Sequence, residues 1–145
     1  MNLNDLLKQD GIAQFESDID QIKNEIENAN AKLKSAKNVL GISEWRLAYS
    51  SAYEAMLHAG RALMFSKGCR TKGSDHHETV ILFVESVFST KFSSQKEVLV
   101  SFNKARKLRN DFTYDNADIV SQTQAKALVG NAEVFVNRAK EILKI

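Results

Sequence analysis

The chain has no proline, six glycines and one cysteine among its 145 residues. Proline is the strongest breaker of helical hydrogen bonding, so its absence leaves every long periodic segment free to be helix. A lone Cys69 excludes an internal disulfide, and without a Cys-x-x-Cys pair there is neither a zinc clip nor a dithiol redox centre. No run approaches the ~18 uninterrupted apolar residues of a membrane span, and the opening MNLNDLLKQDG lacks the basic-then-apolar build of a secretion signal. The expectation is a cytoplasmic protein with no membrane segment. Charge of one sign is lacking too, since 20 Lys plus Arg against 18 Asp plus Glu leave +2. With 43% apolar and 26% charged residues the composition excludes a disordered or fibrous chain, and 145 residues suit a single domain over 1–145 that buries its core without staples.

What is present is helical periodicity. Phe15, Ile19, Ile22, Ile26, Ala29, Leu33, Ala36 and Leu40 follow at spacings of four and three, which predicts one long amino-terminal helix within 1–40, ended by Gly41. The remaining helices occupy 43–145. Ser43 is the expected N-cap of a second helix running to about Lys67, with Gly68 as its stop. That helix is apolar over most of its circumference and rich in small residues, so it is expected at the centre. Residues 68–75 read as a basic, glycine-bearing loop. Asp75 with Glu78, Ser94 with Glu97, and Ser121 with Gln124 match the capping-box spacing for three further helices, with 115–120 as a linker before the last. Short connections between amphipathic helices predict an all-α, up-and-down antiparallel four-helix bundle with an additional short helix.

The near-neutral charge is unevenly spread. Residues 1–40 carry five Lys against seven acids, whereas 91–109 carry six bases and one acid, and 41–72 sum to +3. The basic segments either form a patch for phosphate-bearing partners or are solvated helix faces. On the central helix Glu54, His58 and Arg61 line up on one side of an apolar cylinder. They mark a groove, or they form an exposed strip with a Glu54–His58 pair. On the fourth helix Arg109 continues the apolar series Val98, Phe102 and Ala105, so its stem starts beside the core and its guanidinium emerges into a polar site. It is suited to gripping phosphate in a bidentate fork, or it is a structural partner of Glu54 or Asp111. His76 and His77 diverge by about 100° around their helix and have no further partners at metal-ligand spacing, so no metal or cofactor is expected. Ser74 near His76 is not a triad, and Gly68 and Gly73 match neither dinucleotide nor P-loop patterns.

The stretch SSAYEAMLHAGRALMFSKGCRTKGSDHHETVILF, followed by KARKLRNDFTYDN, resembles the small bacterial and archaeal HEPN-domain proteins. These pair an Ala-Tyr-x-Ala-Met-x-His-Ala-x-Arg-Ala-Leu helix and a Ser-Lys-Gly turn with a later Leu-Arg-x-x-x-x-Tyr-Asp segment, and the likeness covers about residues 45–145. It implies an antiparallel bundle that dimerises, placing two copies of the fourth-helix motif across a basic cleft. Many such proteins are metal-independent ribonucleases, frequently toxins paired with a small nucleotidyltransferase antitoxin, with an active motif of Arg, four to six residues, then His. Carried over, the Arg is Arg109, and Asn110 is the polar residue that follows it. The His is replaced, because Tyr114, Asp115 and Asn116 stand at those spacings. Tyrosine, with an ordinary pKa of about 10, is a poor general base near neutrality, so His58 is the candidate substitute.

The expected function is therefore a homodimeric HEPN protein that binds nucleotide or RNA through Arg109, Asn110 and Tyr114, supported by Glu54, His58 and Arg61, in a toxin–antitoxin or defence module. In a ribonuclease version, Arg109 and His58 are catalytic. Tyr114 also resembles the tyrosine that accepts nucleotides from a partner transferase in some relatives. The competing reading is a non-catalytic helical interaction protein that docks a nucleotidyltransferase.

Overall fold

A computed structural model describes residues 2–8, 11–72, 76–114 and 120–145, with the backbone alone at 111–114. Its elements run α1 (Leu3–Leu7), β1 (Ile12–Gln14), α2 (Ile19–Leu40), α3 (Trp45–Ser66), β2 (Cys69–Thr71), α4 (His76–Val87), a 3-10 turn (Ser89–Phe92), α5 (Lys96–Tyr114) and α6 (Gln122–Leu143). The architecture is all-α: α2, α3, α5 and α6 form the bundle, and α4 is the shorter fifth helix. The centre is α3, which touches α2, α4, α5 and α6 and buries twelve of its 22 residues. Alanines 48, 52, 55, 59 and 62 let its neighbours approach closely.

The single amino-terminal helix expected from periodicity does not form. Helix α2 begins only at Ile19, because Asp18 accepts from the Gln21 amide at 2.8 Å and Gln21 Oε1 accepts from the Asp18 amide at 3.0 Å. That capping box satisfies two helix-end donors locally and sets the start. Ahead of it, Ile12, Ala13 and Gln14 pair antiparallel with Thr71, Arg70 and Cys69. Phe15 therefore leaves the helical seam and packs edge-on against Phe65, with ring centroids 5.2 Å apart. The 68–75 segment expected as loop supplies the other strand.

The α2–α3 turn also differs from expectation. Gly41 is right-handed, with φ −65°, and the residue in the left-handed region is Ser43 at φ 63°. Ser43 is thus not an N-cap; Glu44 precedes α3 and makes no side-chain cap. The stop after α3 does rest on Gly68, at φ +69°, a conformation that favours a residue without Cβ. Helix α5 opens at Lys96, slightly later than Ser94 would set it, whereas Ser121 and Gln124 form the expected capping box on α6. Asp75, the expected cap of α4, lies outside the described residues.

Aromatic rings tie the bundle together. Phe92 stacks on Phe135 at 5.2 Å and 15°, Phe135 meets Phe102 at 5.3 Å, and Phe102 meets Tyr53 at 5.9 Å. Each fully buried ring contributes about 1.5–3 kcal/mol of transfer free energy. The chain of rings crosses from the 3-10 turn through α6 and α5 to α3, and ends under the candidate site.

Candidate functional site

Ser50, Glu54, His58 and Arg61 follow one another along a single face of α3, which carries the ionisable side chains of its middle turns. In the last turns of α5, Arg109 reaches across to it. Its Nε donates to Ser50 Oγ at 3.2 Å and its Nη2 donates to Glu54 Oε1 at 3.1 Å. The guanidinium carbon lies 5.6 Å from the centroid of the buried Tyr53 ring, within cation–π range. The stem does start beside the core, and of the two readings open for Arg109, the Glu54 pair is the contact formed. Its side chain stays 28% exposed, so the group is oriented by its partners yet reaches solvent.

Tyr53 is fixed in turn: its hydroxyl is 3.0 Å from His77 Nδ1 of α4. His76 turns the other way, with its Nδ1 2.9 Å from Thr71 Oγ1. The two histidines therefore serve different neighbours, as their angular separation on a helix requires.

From α2 come two side chains that periodicity did not single out. Lys32 Nζ sits 3.0 Å from Glu54 Oε2, and Glu25 Oε2 sits 2.6 Å from His58 Nδ1. The Glu54–His58 pair considered from the sequence is thus replaced by His58–Glu25. A carboxylate beside Nδ1 favours a proton on that nitrogen, and in the neutral ring Nε2 is then the acceptor. His58 stands one turn beyond Glu54, and no hydrogen bond among the described residues joins it to Arg109. Arg61 makes no ion pair with a described carboxylate, and Asn110 is exposed. The Tyr114 side chain, with Asp115 and Asn116, lies outside the described residues.

The usable signal for Lys32 and Glu25 was their position seven residues apart beside the buried seam of Ile26 and Leu33. Which α3 residues they would meet depends on the antiparallel register of α2 and α3. Two of the basic residues of 41–72 stand away from this site. Lys67 lies over the Phe88 ring and Arg70 over the Phe15 ring, each at 5.6 Å, at the far end of α3. From Ser50 to Lys67 is about 25 Å along a helix.

Three groups elsewhere have raised pKa values, each through burial: Tyr49, pushed up to about 12, and the Cys69 thiol and Glu85 carboxyl, pushed up from their ordinary values. Tyr49 lines a pocket of about 250 Å³ with Leu108 and Leu128, and Glu85 one of about 330 Å³ between α4 and α5. Among the described residues, no three His, Cys, Asp or Glu side chains gather as a metal site, and no helix is long and apolar enough to cross a membrane.

The protein is thus a small helical bundle with an arginine-centred polar seam between α3 and α5. Residues 22–142 match the HEPN domain family, so the chain belongs to it. It is similar to a UPF0332 protein of Archaeoglobus fulgidus, 26% identical over 122 residues, covering 84% of this chain and 94% of that one. The fold is that of the TT1696 crystal structure from Thermus thermophilus, with a TM-score of 0.65 at 14% identity, over 85% of this chain and 98% of that one.

Proposed function

We propose that this HEPN protein binds the phosphate of a nucleotide or RNA through Arg109, as the HEPN component of a toxin–antitoxin or related defence module paired with a nucleotidyltransferase. The observation that carries the reading is the placement of the Arg109 guanidinium. It is oriented by Ser50, Glu54 and Tyr53, it is 28% exposed to solvent, and Arg61 further along the same α3 face has no described carboxylate partner. Preorganised donors of this kind suit an anionic group, because their orientation is settled before the ligand arrives. Asn110, exposed beside Arg109 on α5, is a second contact for the ligand, and Tyr114 is a third. The functional unit is a homodimer with two such seams facing one cleft.

In the ribonuclease version His58 takes the 2′-hydroxyl proton at Nε2, the 2′-oxygen bonds to phosphorus as the P–O5′ bond breaks, and the leaving 5′-oxygen takes a proton from water; Glu25 holds the His58 ring and Arg109 stabilises negative charge on the non-bridging oxygens. The test is a nuclease and binding assay on total RNA without added metal, comparing the parent with Arg109→Ala and His58→Ala. Activity and binding lost with Arg109 support the reading. Cleavage by His58→Ala as fast as by the parent removes His58 from it. Unchanged binding by Arg109→Ala refutes the phosphate site. Size measurement in solution tests the dimer, and a monomer refutes the shared cleft. Mass spectrometry after incubation with a partner transferase and ATP tests modification at Tyr114.

One observation favours a second reading, a non-catalytic module that docks the nucleotidyltransferase. Ile42 and Leu47 stand 70% and 52% exposed at the α2–α3 turn, an apolar edge that water solvates poorly. Tight binding to a transferase, abolished by Ile42→Asp with no RNA cleavage by the parent, would favour it.

A further inference from the structure

Among the described residues, Glu54 alone receives cations from two other helices: Lys32 of α2 at 3.0 Å from Oε2, and Arg109 of α5 at 3.1 Å from Oε1. A carboxylate with one cation on each oxygen has the two-pronged shape of a pair of non-bridging phosphate oxygens, the group that guanidinium and ammonium ions grip most readily. The three side chains remain between 28% and 45% exposed, and ion pairs at this exposure add little net stability. Glu54 can therefore swing away about its own side-chain bonds without disturbing the core. Arg109 would stay aimed, since Ser50 Oγ and the Tyr53 ring hold it independently of Glu54. Arg61 stands about 10 Å further along the same face, two helical turns away.

The geometry points to a phosphate site whose two arms are Lys32 and Arg109 and whose place Glu54 holds until a phosphate displaces it. The inference rests on the nucleotide-binding reading above and adds Lys32 and the displacement of Glu54 to it. A nucleotide monoester and an RNA diester present the same oxygens, so either source meets the same arms.

The experiment is fluorescence anisotropy with a fluorescein-labelled single-stranded RNA oligonucleotide, competed with AMP and with inorganic phosphate. The proteins compared are the parent, Glu54→Gln, Lys32→Ala, Arg109→Ala and the Glu54→Gln/Lys32→Ala double variant. Removing one competing charge is expected to lower the Kd of Glu54→Gln about three- to tenfold at low salt. Its salt dependence should steepen by about 0.7 in log–log slope for one added phosphate contact. Lys32→Ala should weaken binding, and should cancel the gain in the double variant. Competition by AMP identifies the monoester as a source and competition only by unlabelled RNA the diester; both support the site.

Unchanged or weaker binding by a Glu54→Gln protein that melts with the parent overturns the inference. If that variant is not folded, Lys32→Ala decides, since Lys32 is on the surface, and parent-like affinity there overturns it equally. Binding that needs Arg109 but is not improved by Glu54→Gln overturns this inference and leaves the nucleotide-binding reading standing. Absence of RNA, AMP and phosphate binding in every variant sinks the nucleotide reading with it.

Discussion

Replacing glycine by alanine at two helical positions of this protein should change stability in opposite directions. In α3, a Cβ on Gly60 would lie 2.8 Å from Val80 Cγ1, 3.6 Å from Val84 Cγ2 and 3.7 Å from Phe102 Cε2. Carbon contacts are optimal at about 3.5–4.0 Å, so the first is an overlap. Val80 is fully buried and stiff at χ1, which leaves the methyl group no cheap way to move. Overpacking of this kind costs about 1–3 kcal/mol, while removing a mid-helix glycine gains about 1 kcal/mol. Gly60→Ala should therefore be destabilised by up to about 2 kcal/mol. In α6, a Cβ on Gly130 meets nothing within 4 Å, so Gly130→Ala keeps only the favourable term, about 0.4–1 kcal/mol. At about 2–4 °C per kcal/mol, the melting temperatures of the two variants should differ by roughly 1–12 °C, with Gly130→Ala above the parent. Far-UV circular dichroism melts and urea titrations measure this. Equal melting temperatures for the two variants would refute the close approach of Val80 in α4 to Gly60 in α3.

Three further outcomes are expected. Tyr49, with its pKa pushed up to about 12 by burial, holds its proton more tightly folded than unfolded. Its contribution is thus complete below pH ~10 and lost as pH rises toward 12; after allowance for screening at the pocket mouth this is about 1–2 kcal/mol, so Tyr49→Phe should flatten alkaline destabilisation, and an identical pH profile would contradict it. Asp18→Ala removes the side-chain cap of α2 and should cost about 1 kcal/mol in urea unfolding; no loss would mean that the capping box does not set the helix start. Glu25→Gln should alter the His58 tautomer balance read by nitrogen NMR, since the parent's Nδ1 proton faces a carboxylate at 2.6 Å; an unchanged imidazole signal would remove Glu25 as its orienting partner.

Much of the bundle was readable from local pattern. The seam Ile26, Ala29, Leu33 and Ala36 is buried as its spacing requires, and α6 begins at the capping box written into Ser121 and Gln124. The stripe on α3 was readable because charged residues interrupt an apolar circumference. At the amino terminus local pattern fails: Phe15 stands four residues before Ile19, yet its segment forms backbone hydrogen bonds with residues more than fifty positions away. A helical spacing records which side chains align if a helix forms, and a ladder to a distant strand can outcompete it.

The partners within the site belong to tertiary structure altogether. Sequence alone determined an all-helical, proline-free chain with a central helix of small residues and an arginine emerging beside the core, because helix period, caps and the cost of burying charge act over neighbouring residues. It could not determine that His58 meets Glu25 in place of Glu54, or that Lys32, from the acidic end of the chain, shares Glu54 with Arg109. Those pairings depend on the register of α2 against α3 and the approach of α5, which follow from how whole helices pack. Ion pairs form only where that packing brings charges within a few ångströms, and no spacing within one helix encodes the distance to another.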